Sequence, residues 1–322
     1  MGAPARPAPV ALLCGEVHTC LLPTFQALDG RAAAQLLRLR ADEPVRVSER
    51  PNMYALSPQL LTGVDCRLPA ANGAKVRAVG TVAARAALTE GRLLQATAHV
   101  GAPADGPDLR RPWGHYLVRP GLVEPFGKLP RKAVAEGTLL GPARGELDLG
   151  TIAGGLLARL LRHALLDHKP PFKSRRTHLR WVARLGPADT EPVLDRFTLA
   201  EDGLRTVELT LPADVDPADV AGLCEDLALH DWLLTTVVHM LDSSRLGSVE
   251  GSAAVLALRP AVDHLLHLWM PAAHVDRGLV RLWDVLEREP GFTRQWRTLE
   301  QRIRDQLAVQ AVPLLHEALT TR

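Results

Sequence analysis

Four stretches of the chain gather side chains able to do chemistry. The first is Cys14-Gly-Glu-Val-His18-Thr-Cys20, with Cys66 further along. Read as a strand, it puts Cys14, Glu16, His18 and Cys20 on one face, because strand side chains alternate. Thiolate, imidazole and carboxylate are all zinc ligands. Neighbours on one face stand about 6.6 Å apart, so Cys14 and Cys20 lie roughly 20 Å from each other. A single ion would take two neighbours, such as His18 and Cys20, and complete its shell from elsewhere, with Cys66 in view. No CxxC pair occurs in the chain, and buried cysteines usually act as small apolar residues. The expectation is core packing, with no metal and no cofactor; His18, Cys20 and Cys66 are the residues to watch.

The second stretch is basic, Lys169–Arg184, with Trp181 interleaved. In a strand, Arg176, His178, Arg180 and Arg184 share one face, and Leu179, Trp181, Ala183 and Leu185 the other. A row of arginines on a sheet suits phosphate, RNA or the acids of a partner. The alternative is a strand face whose charges pair with neighbours such as Glu208.

The third is a helical run over 217–243. Val220, Leu223, Leu227, Leu234, Val238 and Leu241 form its apolar stripe, with Asp231 near the middle and Cys224, Thr235 and Asp242 at the edge. An unpaired carboxylate in a core costs several kcal/mol. Asp231 therefore needs an arginine, Arg180 or Arg259, or else it faces a cavity where it and Asp242 could work as acid or base. The fourth group is His230, His239, His264, His267 and His274. His264 and His267 stand side by side, away from the stripe of their helix, but only Asp263 and His267 have the i, i+4 spacing of a helical chelate. Surface histidines are the commoner reading.

Motifs of several enzyme classes are missing: GxxxxGK[ST], GxGxxG opening a helix, GxSxG, HExxH and the EF-hand loop. Composition adds limits. The 38 basic and 36 acidic residues of the 322 leave a net charge of +2, so no global field draws the chain to nucleic acid or a membrane. Only five of the basic residues are lysine, which makes arginine richness a weak sign of phosphate binding. Four cysteines are too few for a disulfide framework. No run approaches the ~20 apolar residues of a membrane span. Ala11–Gly15 has a leucine where a lipoprotein site needs a small residue, and Arg6 breaks a myristoylation motif. The expected place is the cytoplasm, with no membrane insertion.

The elements that must position these groups follow from period and turn chemistry. Residues 1–9 are Pro- and Ala-rich and read as disordered. Strands are expected at 10–22, 45–48, 63–68, 75–87 and 92–100, with turns at Asn72-Gly73 and Glu90-Gly91. A short helix covers 30–40, and 113–147 reads as irregular among its prolines. A helix at 149–167 opens the second part, followed by a β-meander at 177–185, 195–200 and 205–211 with a turn at Asp202-Gly203. Helices then fill 217–243, 260–270, 276–288 and 293–312, broken at Pro313. Trp232, Trp269, Trp283 and Trp296 anchor their core. The class is α+β, as a β-rich domain over 10–147 and an α+β domain over 148–322 ending in a helical bundle.

Several blocks resemble a family of Streptomyces and related actinobacteria with no assigned activity. They are Gly63-Val-Asp-Cys-Arg-Leu-Pro69, Val220–Thr236, Arg259–Pro271 and Pro290-Gly-Phe-Thr-Arg-Gln-Trp296, and the resemblance extends from about Val10 to Leu307. It implies a small gene cassette shared with a variant P-loop protein and a methyltransferase-like protein, and supplies no catalytic residue. The expected function is a non-catalytic accessory or scaffold protein with a protein partner encoded nearby. The alternatives are an enzyme with an Asp/His pocket, or a phosphate/RNA module built on Arg176, Arg180 and Arg184.

Overall fold

The computed structural model describes residues 9–200, 203–244 and 251–320, with side chains of 251–255 and 310–320 left aside. The expected disorder at residues 1–8 and part of the turn at Asp202-Gly203 lie outside the described residues. The class is α+β, with strands toward the N-terminus and helices toward the C-terminus. Among the described residues, no helix is long and apolar enough to cross a membrane.

Ten strands form one mixed sheet. They are β1 (Val10–Leu21), β2 (Arg46–Ser48), β3 (Tyr54–Leu56), β4 (Leu60–Leu68), β5 (Val76–Thr89), β6 (Leu93–Pro103), β7 (Val123–Pro125), β8 (Thr177–Gly186), β9 (Val193–Leu199) and β10 (Leu204–Pro212). The order is β2-β3-β5-β6-β1-β8-β10-β9, with β4 and β7 also on β5. The hydrogen-bonded ladder runs across residue 148, because β1 pairs with β6 on one side and β8 on the other. The turns at Asn72-Gly73 and Glu90-Gly91 join antiparallel neighbours as expected.

The meander is corrected. Strands β8, β9 and β10 form, but β10 inserts between the other two and runs parallel to β8. Both faces of β8 are covered, and the more apolar β10, with Val207, Leu209 and Leu211 buried, takes the inner place. The exposed β9 is left at the edge.

Strands β1, β5 and β6 are buried almost throughout, as fits strands covered on both faces. Alanines at 83, 84, 86, 87, 96 and 98 keep the central sheet thin, so helices pack closely on it. One face carries α1 (Gly30–Leu36), α3 (Arg131–Leu140) and α4 (Leu149–Leu160). The other carries α5 (Pro217–Ser243), α6 (Gly251–His264), α7 (Arg281–Arg288) and α8 (Phe292–Thr320). A short helix, α2 (Trp113–Leu117), caps β5.

Three helical boundaries differ from expectation. The stretch 113–147 holds α2, β7 and α3, since Pro130 precedes the α3 helix rather than interrupting it. Helix α4 stops at Leu160, where the chain turns. Pro260 and Pro313 sit inside α6 and α8. A proline removes one backbone donor, and around Pro260 the burial of Leu258, Ala261 and Leu265 outweighs that loss.

Helix α5 is the hub of its layer. Asp216 caps it by accepting from the Ala218 amide at 2.8 Å, and Pro217 takes the first helical position. Three of the four expected tryptophans gather beneath it: Trp269 stacks on Trp296 at 4.6 Å, and His230 lies edge-on to Trp269 and Trp283, while Trp232 belongs to α5 itself. Arg85 of β5 reaches into this layer and grips Glu225 of α5 through two bonds of 2.8 Å. The same guanidinium donates to the Ala218 carbonyl, and Gln95 donates to that of Glu225.

Gly15 allows one more close approach. It lies opposite Trp181, and a Cβ there would stand 2.3 Å from the indole ring. An indole wedged between strand and α5 layer cannot yield. Gly15→Ala should destabilise the fold by about 1–3 kcal/mol or more in chemical denaturation. An unchanged midpoint would contradict this packing.

Candidate functional site

On the face of β1 opposite α5, strand register brings two cross-strand pairs together: Glu16 opposite Arg180, and His18 opposite His178. Glu16 and His18 are buried and His178 is half-buried. His18 Nε2 lies 3.3 Å from Glu16 Oε1. Arg180 Nε donates to Glu16 Oε2 at 2.9 Å, and its Nη1 donates to the Leu139 carbonyl of α3. The two imidazoles meet edge to face at 4.2 Å. Burial works to raise the Glu16 carboxyl, but His18 and Arg180 outweigh it and hold the group below its usual range. Burial, aided by His18, lowers the His178 imidazole.

Helix α4 roofs this cluster through two glycines. A Cβ at Gly150 would come within 2.6 Å of Glu16 Oε1, and one at Gly154 within 3.3 Å of the His18 ring. Asp148 caps the helix by accepting from the Thr151 amide at 2.8 Å. A cavity of about 30 Å³ beside Glu16 and Arg180 is lined mainly by apolar side chains such as Leu12, Leu68 and Val134.

A second feature is larger. A groove of about 1120 Å³ runs between β9, α5 and the α7–α8 corner. Arg175, Arg176 and His178 stand at one end, Arg196 and Phe197 on the β9 wall, and Asp231 and His239 on the α5 wall. A hollow of about 530 Å³, sharing Arg175 and His239, continues it toward Leu256 and Pro260.

The residues singled out in the sequence fall into separate places. Asp231 does face a groove, but its partner is Arg205, with Nε 2.5 Å from Oδ2, and neither Arg180 nor Arg259. Arg180 belongs to Glu16, and Arg259 pairs with Asp263 at the surface. Burial pushes the Asp231 carboxyl up, and the Arg205 charge pulls against it. Arg205 also donates to Thr235 Oγ1 at 2.7 Å. Asp242 is exposed, about 16 Å along α5 from Asp231. His264 stacks on Phe172, and His267 is exposed beyond it. His230 is buried against the Asp226 carbonyl, and His274 stacks on Tyr54 and bonds Asn52.

The arginine row divides likewise. Arg184 is engaged by Glu208 at 2.7 Å, as the alternative reading held, and by Asp195 at 3.6 Å. Arg180 is covered by α3, while Arg176 opens to the groove. Of the three metal candidates, His18 joins the cluster and Cys20 and Cys66 do not. Burial drives those thiols up to about 12 and about 11, and Cys14, which accepts from Thr138, up to about 12.

Sequence reasoning missed Arg85 with Glu225, Arg205 with Asp231, and His178 as the partner of His18. An arginine inside the alanine run of β5 was the visible signal for the first. The other two depend on register between distant strands and leave no local trace.

If Asp231 serves the fold, its loss strands a buried guanidinium. Asp231→Ala should cost about 3 kcal/mol in urea denaturation, whereas a change within about 0.5 kcal/mol would free it for another role. Comparison of the chain with protein-family models, with curated proteins and with solved structures gives no match.

Proposed function

We propose that this protein is a non-catalytic accessory or scaffold component, working in the cytoplasm within a multi-protein actinobacterial system, and that its groove receives an acidic segment of a protein partner. The observation that carries the reading is the groove of about 1120 Å³, where the exposed Arg175, Arg176 and Arg196 outnumber the exposed Asp195 and Glu289. Arg175 and Arg176 are exposed and form no ion pair among the described residues. Arg196, with a side chain 66% exposed, shares Glu208 with Arg184 at 3.7 Å and keeps donors free toward solvent. Carboxylates of a partner would meet these guanidinium groups with charge-assisted bonds, which are the strong ones.

Apolar contact is offered beside them. Leu199, Val238 and Val285 line the groove and are 63%, 39% and 38% exposed. Strand β9 ends the sheet, and among the described residues no strand pairs with its outer edge. An extended segment can add to such an edge through backbone bonds, with side chains reading the groove. Support also comes from the interior, where Glu16, Glu225 and Asp231 are each engaged by an arginine. Those three carboxylates act as fasteners there.

The test is affinity purification of the tagged full-length chain from its own host, beside an Arg175→Glu, Arg176→Glu, Arg196→Glu triple variant. A stoichiometric protein should accompany the wild type, leave it as salt rises, and fall at least tenfold with the variant. A wild-type chain that elutes alone, or a variant that keeps the partner equally well, contradicts the proposal. Retention that nuclease abolishes would replace the protein partner with nucleic acid.

A further inference from the structure

We infer that Glu16, His18 and His178 form a binding site for one divalent transition-metal ion, zinc being the best fit. One ligand atom from each of the three lies within 4.8 Å of the others. A tetrahedral ion with bonds of about 2.1 Å needs donors roughly 3.4 Å apart. The His18 Nε2 to Glu16 Oε1 distance is already 3.3 Å. The remaining adjustment falls on the half-buried His178 ring, the freest of the three.

The donor set is that of metal sites with an open position. Two imidazoles and a carboxylate hold catalytic zinc or non-haem iron, leaving a place for water or ligand. With nitrogen and oxygen donors and no thiolate, the site favours borderline ions over Cu(I).

The surroundings fit as well. Glu16 divides its two oxygens: Oε2 takes the Arg180 hydrogen bond, and Oε1 remains toward His18. An outer partner of this kind orients a ligating carboxylate. The Arg180 charge also offsets that of Glu16, so a bound dication would leave the site positive. That charge favours an anionic fourth ligand, a hydroxide or a carboxylate, at the open position. His178, the half-buried member of the cluster, is the ligand nearest solvent. The site is independent of the partner reading.

The experiment uses the full-length chain stripped with chelator and dialysed. Zn²⁺ is titrated by calorimetry, and Co²⁺ is added separately to read coordination from its visible absorption. One equivalent of Zn²⁺ should bind, and Co²⁺ should give the intense bands of four- or five-coordination. His178→Ala, at a half-buried position, should stay folded by circular dichroism and lose at least tenfold in affinity. Gly150→Ala, which crowds Glu16 Oε1, should weaken binding without removing a donor. No Zn²⁺ binding by the wild type up to millimolar concentration overturns the site. So does a folded His178→Ala protein with unchanged affinity, because the ion would then be held by other histidines.

Discussion

The fork between Arg85 and Glu225 fixes how the two halves of the architecture meet. Arg85 stands in the middle of an alanine-rich central strand, where an unpaired guanidinium would be untenable, and its side chain is 4% exposed. Glu225 projects from a helix buried nearly all round. Each charge is tolerable only in the presence of the other. The pair therefore sets the depth and rotation of α5 on the sheet. Six residues later, Asp231 meets Arg205 and fixes the same helix against β10. With both points held, the apolar side chains of α5 have one way to pack, and the tryptophans of α6 to α8 close beneath it.

Geometry on the second face follows a related rule. The β1–β8 ladder is covered on both sides, so its polar residues must satisfy one another. Glu16 does so with Arg180 and His18, and the His178 ring packs edge to face on His18, under α4, whose glycines leave just enough space. Trp181, pointing the other way, uses the missing side chain of Gly15. One strand pair thus delivers a buried polar cluster to one layer and an aromatic anchor to the other. The groove lies where the 27-residue α5 passes beside β9, the last strand of the sheet.

Much of this was legible in the sequence, for physical reasons. Periodicity located α5 to the residue, and the alternation of Val207, Leu209 and Leu211 located β10. The same alternation placed Glu16 and His18 on one face and Arg180 with His178 on another. It could not say that these two faces are one, because that rests on the register of strands about 160 residues apart. The parallel insertion of β10 was hidden for the same reason: it is decided by competition for burial between whole strands. The need for a partner at Asp231 was foreseeable from the cost of burying a charge, but the choice of Arg205 over Arg180 was not. Pro260 misled because the packing of Leu258, Ala261 and Leu265 overrides a local breaker.

The dependence of the fold on the α5 fork can be measured directly by a double-mutant cycle on Arg85→Met and Glu225→Leu, read by chemical denaturation. If the fork sets the position of α5, each single change costs about 3–5 kcal/mol. The double change then costs well below their sum, with a coupling of at least about 2 kcal/mol. Additive losses would contradict that role and leave the seating of α5 to its apolar contacts alone.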